Sequence, residues 1–245
     1  MYIKTDGIVL REVEYRERDK ILTVLTKDLG KITVKARGVR SQRSKLKAGC
    51  QILSFSEFTL SSYQGCYIVT EAAVKEMFPE LREDIELLYL AAYFVQVSDV
   101  IAQEEDPMPE LLSLLLNSLY AIGKLKKPQK LIKAVFELRL MCISGFLPDL
   151  RGCAVCGRTD PDRFNISEGV LQCSDCSGMD GIRMPLQPDT LAAMRYIVSA
   201  DAKKIFSFRL SDTGLQELSD IAESYLSARL ERGFHTLDLY KSLFL

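Results

Sequence analysis

The residues with the most specific chemistry in this chain are cysteines. Of the seven, four fall as Cys153-Ala154-Val155-Cys156 and Cys173-Ser174-Asp175-Cys176, two CxxC pairs with sixteen residues between them. Cysteines three apart can grip one ion from a single tight turn, and two such knuckles complete a tetrahedral set of thiolates. The spacing predicts one Zn2+ ion on Cys153, Cys156, Cys173 and Cys176. Four protein ligands leave no open position for a catalytic water, so the ion is expected to be structural. The competing reading is a pair of redox CxxC motifs, but these usually occur singly beside a βαβ unit. Cys66 and Cys142 read as small buried hydrophobes.

A second set of residues is cationic. Lys31, Thr33, Lys35 and Arg37 alternate with Ile32, Val34 and Ala36. Strand side chains point alternately to opposite sides, so the cations share one face and the apolar residues the other. Arg40, Arg43, Lys45 and Lys47 follow in a polar run, and no Asp or Glu occurs from Lys31 through Cys50. Arg16 and Arg18 sit in an expected inter-strand turn, offset by Glu14, Glu17 and Asp19. A surface of this kind tracks phosphates with steep salt dependence. Tyr15, Phe55, Phe58, Tyr63 and Tyr67 are near in sequence, and stacking on a base is worth ~1–3 kcal/mol in single-strand binders. Phe55 and Phe58 fall on opposite strand faces, so at least one is expected in the core. Tyr15 and Tyr63, in expected loops, are the better stacking candidates.

These residues need elements to carry them. Gly7–Val13, Ile21–Thr26, Lys31–Arg37, Ile52–Leu60 and Cys66–Val74 read as five short strands, the last two joined by a hairpin at Ser61–Gly65. Five strands in under 80 residues fit a small OB-type barrel; an SH3-like barrel has a similar pattern. After Pro79 the period becomes helical, with helices expected at 85–103, 109–124, 128–145, 188–198, 211–232 and 236–243. The expected fold is α+β: a five-stranded OB-type barrel domain over 1–79 that binds nucleic acid, and an α-helical domain over 80–245 with the four-cysteine zinc module embedded at 150–183. Charge divides similarly. Residues 1–79 hold 14 Lys/Arg against 9 Asp/Glu, and the remainder 18 against 24. A basic barrel on a mildly acidic helical body suggests a polyanion on one side and a different partner on the other.

Several classes drop out. No apolar run reaches the ~18 clean residues of a membrane span, and the charged start lacks a signal-peptide core. A cytoplasmic protein is therefore expected. With one histidine, His235, multi-histidine catalysis is excluded. Phosphate-loop, dinucleotide and nucleophile-elbow motifs are missing, and no carboxylate cluster suits a nuclease. The expectation is a binding protein, not an enzyme. A zinc-stabilised adaptor working through protein–protein contacts is the alternative.

Thr5-Asp6-Gly7-Ile8-Val9-Leu10, Glu17–Thr23, and Gly30 through Gly38-Val39-Arg40 resemble the RecO family of bacterial recombination mediators. So does the join Phe136-Glu137-Leu138-Arg139-Leu140, Gly145–Leu150, Cys153-Ala154-Val155-Cys156-Gly157. The resemblance runs in order along nearly the whole chain. It implies an OB fold, a helical domain and a zinc module. It also implies binding to single- and double-stranded DNA, annealing of complementary strands, and action with RecR in loading RecA onto DNA coated by the single-strand binding protein SSB. Some members hold the acidic, apolar C-terminal tail of SSB in the helical domain; Lys130 and Lys133 are then candidates for the rim of that pocket.

Overall fold

The structure is a computed structural model that describes residues 2–63, 65–125 and 127–244; the Tyr63 side chain and Gln64, in the expected hairpin, lie outside the described residues. The N-terminal strands are β1 (Tyr2–Tyr15), β2 (Asp19–Thr26), β3 (Lys31–Ala36), β4 (Phe55–Tyr63) and β5 (Cys66–Glu76). They close into a barrel in the order β1-β2-β3-β5-β4, with β4 returning to β1. All pairings are antiparallel except β3–β5, which is parallel and joined only at Val34–Tyr67 and Lys35–Ile68. This is the expected OB-type barrel.

Alternation builds its core. Leu22 and Val24 of β2, Ile32, Val34 and Ala36 of β3, and Phe58 and Leu60 of β4 are buried together. Phe58 is thus the core aromatic, while Phe55 is half-buried under the Lys75 ammonium. β1 is longer than expected and carries a bulge between Val9 and Arg11. The extra residue changes the parity of the strand. Val9 is fully buried, yet Val13, four residues on, is 55% exposed. β4 starts three residues later than expected, because Leu53 turns the chain with φ 68°.

One turn of the barrel admits little change. Gly30 has φ +68°, and its carbonyl accepts from the Thr26 amide at 2.9 Å and from the Thr26 hydroxyl at 2.8 Å. A neighbouring segment runs across it: the Lys31 amide donates to Gln103 O, and the Glu105 amide to Lys31 O.

The helices are α1 (Glu80–Glu83), α2 (Ile85–Ile101), α3 (Pro109–Lys124), α4 (Gln129–Ile143), α5 (Pro188–Ser199), α6 (Asp212–Leu230) and α7 (His235–Ser242). Asp84 caps α2 by accepting from Glu86 and Leu87, and Ser211 caps α6 through the Gly214 amide. Between α4 and α5 lies a small sheet of β6 (Asp149–Cys153), β7 (Arg163–Asn165), β8 (Val170–Gln172) and β9 (Arg183–Pro185), in the order β6-β8-β7-β9. The chain forms two compact units, Met1–Gly123 with Phe234–Leu245, and Lys124–Gly233. In the first, α7 returns onto α2, with Phe234 edge-on to Tyr93 at 5.7 Å. In the second, α4 packs on α6 and α5. No helix among the described residues is long and apolar enough to cross a membrane.

Candidate metal centre and nucleic-acid interface

The small sheet brings the two knuckles together. Cys153 ends β6, Cys173 follows β8, and these strands run side by side. In the first knuckle Gly157 takes φ +77°, so its amide reaches back to Cys153 O at 2.9 Å, while the Cys153 amide donates to Arg158 O at 2.7 Å. The four sulfurs lie within 4.8 Å of one another. Cys153–Cys176 is 3.8 Å and Cys156–Cys173 is 3.7 Å. A tetrahedron of ~2.3 Å metal–sulfur bonds has edges of about 3.8 Å; two of the pairs already match that length, so the four cysteines fit a metal ion. Burial opposes ionisation of Cys153, but the amides of Cys156, Val155 and Cys173 outweigh it and draw the thiol down to about 6. Burial and the neighbouring sulfurs push Cys173 up to about 12. Four thiols this close cannot all ionise alone; a divalent cation bound among them would supply the missing charge. Arg158 faces Cys173 and Cys156, and Arg151 is clasped by Asp149.

On the barrel, the alternation of β3 places Thr33, Lys35 and Arg37 outward. Lys31 shares that parity but not that role. Its ammonium donates to Asp99 O at 2.7 Å and pairs with the Asp99 carboxylate at 3.5 Å, so it locks β3 to α2. Lys35 lies over the Tyr15 ring at 4.6 Å, and Arg16, at φ 55°, reaches the same ring at 5.1 Å. The β1–β2 turn meets the basic loop: the Arg40 amide donates to Arg18 O, and the Gly38 amide to Asp19 Oδ1. Arg16, Arg18, Arg37 and Arg40 are thereby brought to one end of the barrel. Arg37 and Arg18 are exposed and make no ion pair among the described residues, whereas Arg40 pairs with Glu14 at 3.1 Å. Arg43, Lys45 and Lys47 are exposed on the loop that follows.

The structure adds Ile21 and Ile68 to the cations and the Tyr67 ring that the sequence marked. Where β3 and β5 part after two pairings, a groove of ≈ 500 Å³ opens, lined by Ile21, Lys35, Arg37, Tyr67 and Ile68 among others. With Val13, which pairs with Ile21, Ile21 and Ile68 form an apolar strip on the wet side of the barrel, while Tyr67, opposite the inward Val34, packs against the core and meets the groove from that side. Cys66 lines the groove and is exposed, correcting its reading as a buried hydrophobe. Cys142 is half-buried and donates to Leu138 O; burial pushes its thiol up to about 11.

In the second unit, Leu131, Phe208, Leu210 and Leu215 line a groove of ≈ 460 Å³ together with Lys127 and Arg209. Lys127 donates to Phe206 O, while Arg209 is exposed. Lys133 is not a rim residue: it is 3% exposed and bound by Glu137 and Glu223 at 2.9 and 2.8 Å, tying α4 to α6. Lys130, exposed, donates to Gln216.

Residues 1–78 match the family described as Recombination protein O N terminal, and residues 82–238 that described as Recombination protein O C terminal. The chain is similar to the DNA repair protein RecO of Acetivibrio thermocellus, 36% identical over 244 residues that cover 99% of this chain and 97% of that protein. It is similar to the DNA repair protein RecO of Alkaliphilus metalliredigens, 33% identical over 246 residues (99% and 100%). A Bacillus pumilus protein of the same description is 30% identical over 226 residues (92% and 88%).

Proposed function

We propose that this chain, which belongs to the RecO family of DNA repair proteins, is a recombination mediator that anneals complementary single strands and helps load RecA onto SSB-coated DNA. The observation that carries the reading is the outer barrel face, where Lys35 and Arg16 lie over Tyr15 and Lys35 and Arg37 line the groove with Ile21 and Ile68, the exposed Arg18 lying in the adjoining turn. Cations there hold phosphates, and apolar and aromatic surface takes unpaired bases. Two DNA strands repel each other; a cationic surface lowers that repulsion, and pairing then needs no covalent chemistry. The protein acts as a binder, not an enzyme, in the cytoplasm at the nucleoid. Residues 1–79 are its DNA-binding domain and 80–245 its helical domain. The four clustered cysteines hold one Zn2+ that fixes the 150–183 module. DNA, RecR and SSB are the partners, with RecA downstream. The groove at Leu131, Phe208 and Leu215, lined also by Arg209, suits an acidic, apolar tail such as that of SSB.

Annealing of complementary oligonucleotides, bare and SSB-coated, without ATP, tests the reading. Salt-sensitive acceleration is expected on both. Arg209→Glu is expected to abolish it on SSB-coated strands while bare strands still anneal. No acceleration on bare DNA refutes the annealing function.

A further inference from the structure

We infer that the barrel has a second nucleic-acid groove at its mouth, which holds another strand by its phosphates alone; this rests on the outer face being the first DNA site. Neighbouring residues on a strand point to opposite sides. Ile21 lines the outer groove, and Lys20, next to it, lines a different cavity of ≈ 470 Å³. Lys20 pairs with Ala36, and Glu12 with Leu22, both core residues, so this cavity lies on the inward side at the end of the barrel. The β1–β2 ladder is the wall between the two.

The two cavities differ in chemistry. The outer groove sets Ile21 and Ile68 beside its cations, with the Tyr15 ring under Lys35 next to it. The mouth has no aromatic side chain among its lining residues; it has Lys20, Arg40, Lys47 and Arg82 against Glu12 and Glu14. Lys20 is held by Glu12 at 2.7 Å. Arg40 pairs at 3.1 Å with Glu14, whose side chain is 67% exposed. An ion pair that open to water is worth little, so a phosphate can take the place of Glu14. Arg82 donates to Ile52 O at 2.8 Å, which seats its guanidinium on the rim. Lys47 is exposed and makes no ion pair among the described residues.

Such a lining grips a sugar–phosphate backbone and carries no base-reading surface. That division suits annealing. One strand lies with its bases against the outer strip; the other is held by phosphates, with its bases free to pair.

The test is the stoichiometry of a short deoxythymidine oligonucleotide, followed by native mass spectrometry and fluorescence titration at low salt. Two strands per protein, bound in a tight and a weak phase, are expected. Lys47→Glu is expected to weaken the weak phase about tenfold and slow annealing similarly. Glu14→Gln, which frees Arg40, is expected to strengthen it. One strand per protein at saturation, or a Lys47→Glu effect confined to the tight phase, overturns the second groove. Failure of the outer-face reading looks different: Lys35→Glu would then leave the tight phase in place.

Discussion

Cys173→Ser is expected to release the metal and unfold the knuckle module, with aggregation of much of the protein. The module is built on three-residue strands, β7, β8 and β9, around Phe164, Ile166 and Leu171. A core that small does not fold unaided. Zinc supplies ~10–16 kcal/mol in isolated zinc-finger peptides, so losing one ligand removes a large part of what holds the segment. Cys173 is the sharpest choice, being buried, 3.7 Å from Cys156, and donating its amide to the Cys153 sulfur at 3.4 Å. Metal analysis, thermal melting and limited proteolysis check this. Metal is expected to fall from one per chain to none, with new cleavage between residues 150 and 183. DNA affinity should fall less than stability, since the cations of the barrel lie in the other unit. Equal melting, with both proteins free of metal, contradicts a structural ion.

Gly30→Ala is expected to be the most damaging small substitution in the barrel. An added methyl would lie 2.3 Å from Asp106 O and 2.4 Å from Asp106 C, a clash with backbone that no rotamer change relieves. The φ of +68° adds ~1–2 kcal/mol for any L side chain, and overpacking typically adds ~1–3 kcal/mol. A loss of about 4 kcal/mol lowers the melting temperature by about 10 °C for a chain of this size. Gly38→Ala is the control, because Gly38 has φ +64° and nothing within 4 Å of the added methyl. It is expected to show the backbone cost alone, and equal destabilisation of the two would mean that the 99–106 segment does not press on this turn.

How much of this was legible in the sequence depends on the range of the interaction. The four clustered cysteines were readable because metal ligation imposes a local spacing rule, and the knuckles meet as that rule requires. The inward and outward faces of β3 were readable because alternation there is unbroken from Lys31 to Arg37. On β1 the pattern misled, since one bulge turns Val9 inward and Val13 outward with no mark in the sequence. Lys31 looked like a phosphate ligand because its partner, Asp99, is 68 residues away. Lys133 looked exposed at the start of a helix for the same reason, with Glu223 90 residues distant. Tyr67 was legible as an aromatic near the basic run, but the apolar strip of Ile21 and Ile68 was not, because only the short β3–β5 seam leaves those residues open.

The most direct test of the outer face as the DNA site is the salt dependence of single-strand binding, measured for the native protein and for Lys35→Glu/Arg37→Glu. Each phosphate contact on a single strand contributes ~0.7 to the slope of log K against log salt. The double variant is predicted to bind at least about a hundredfold more weakly at low salt, with a slope shallower by about 1.4. Unchanged affinity and unchanged slope would place the DNA elsewhere on the molecule.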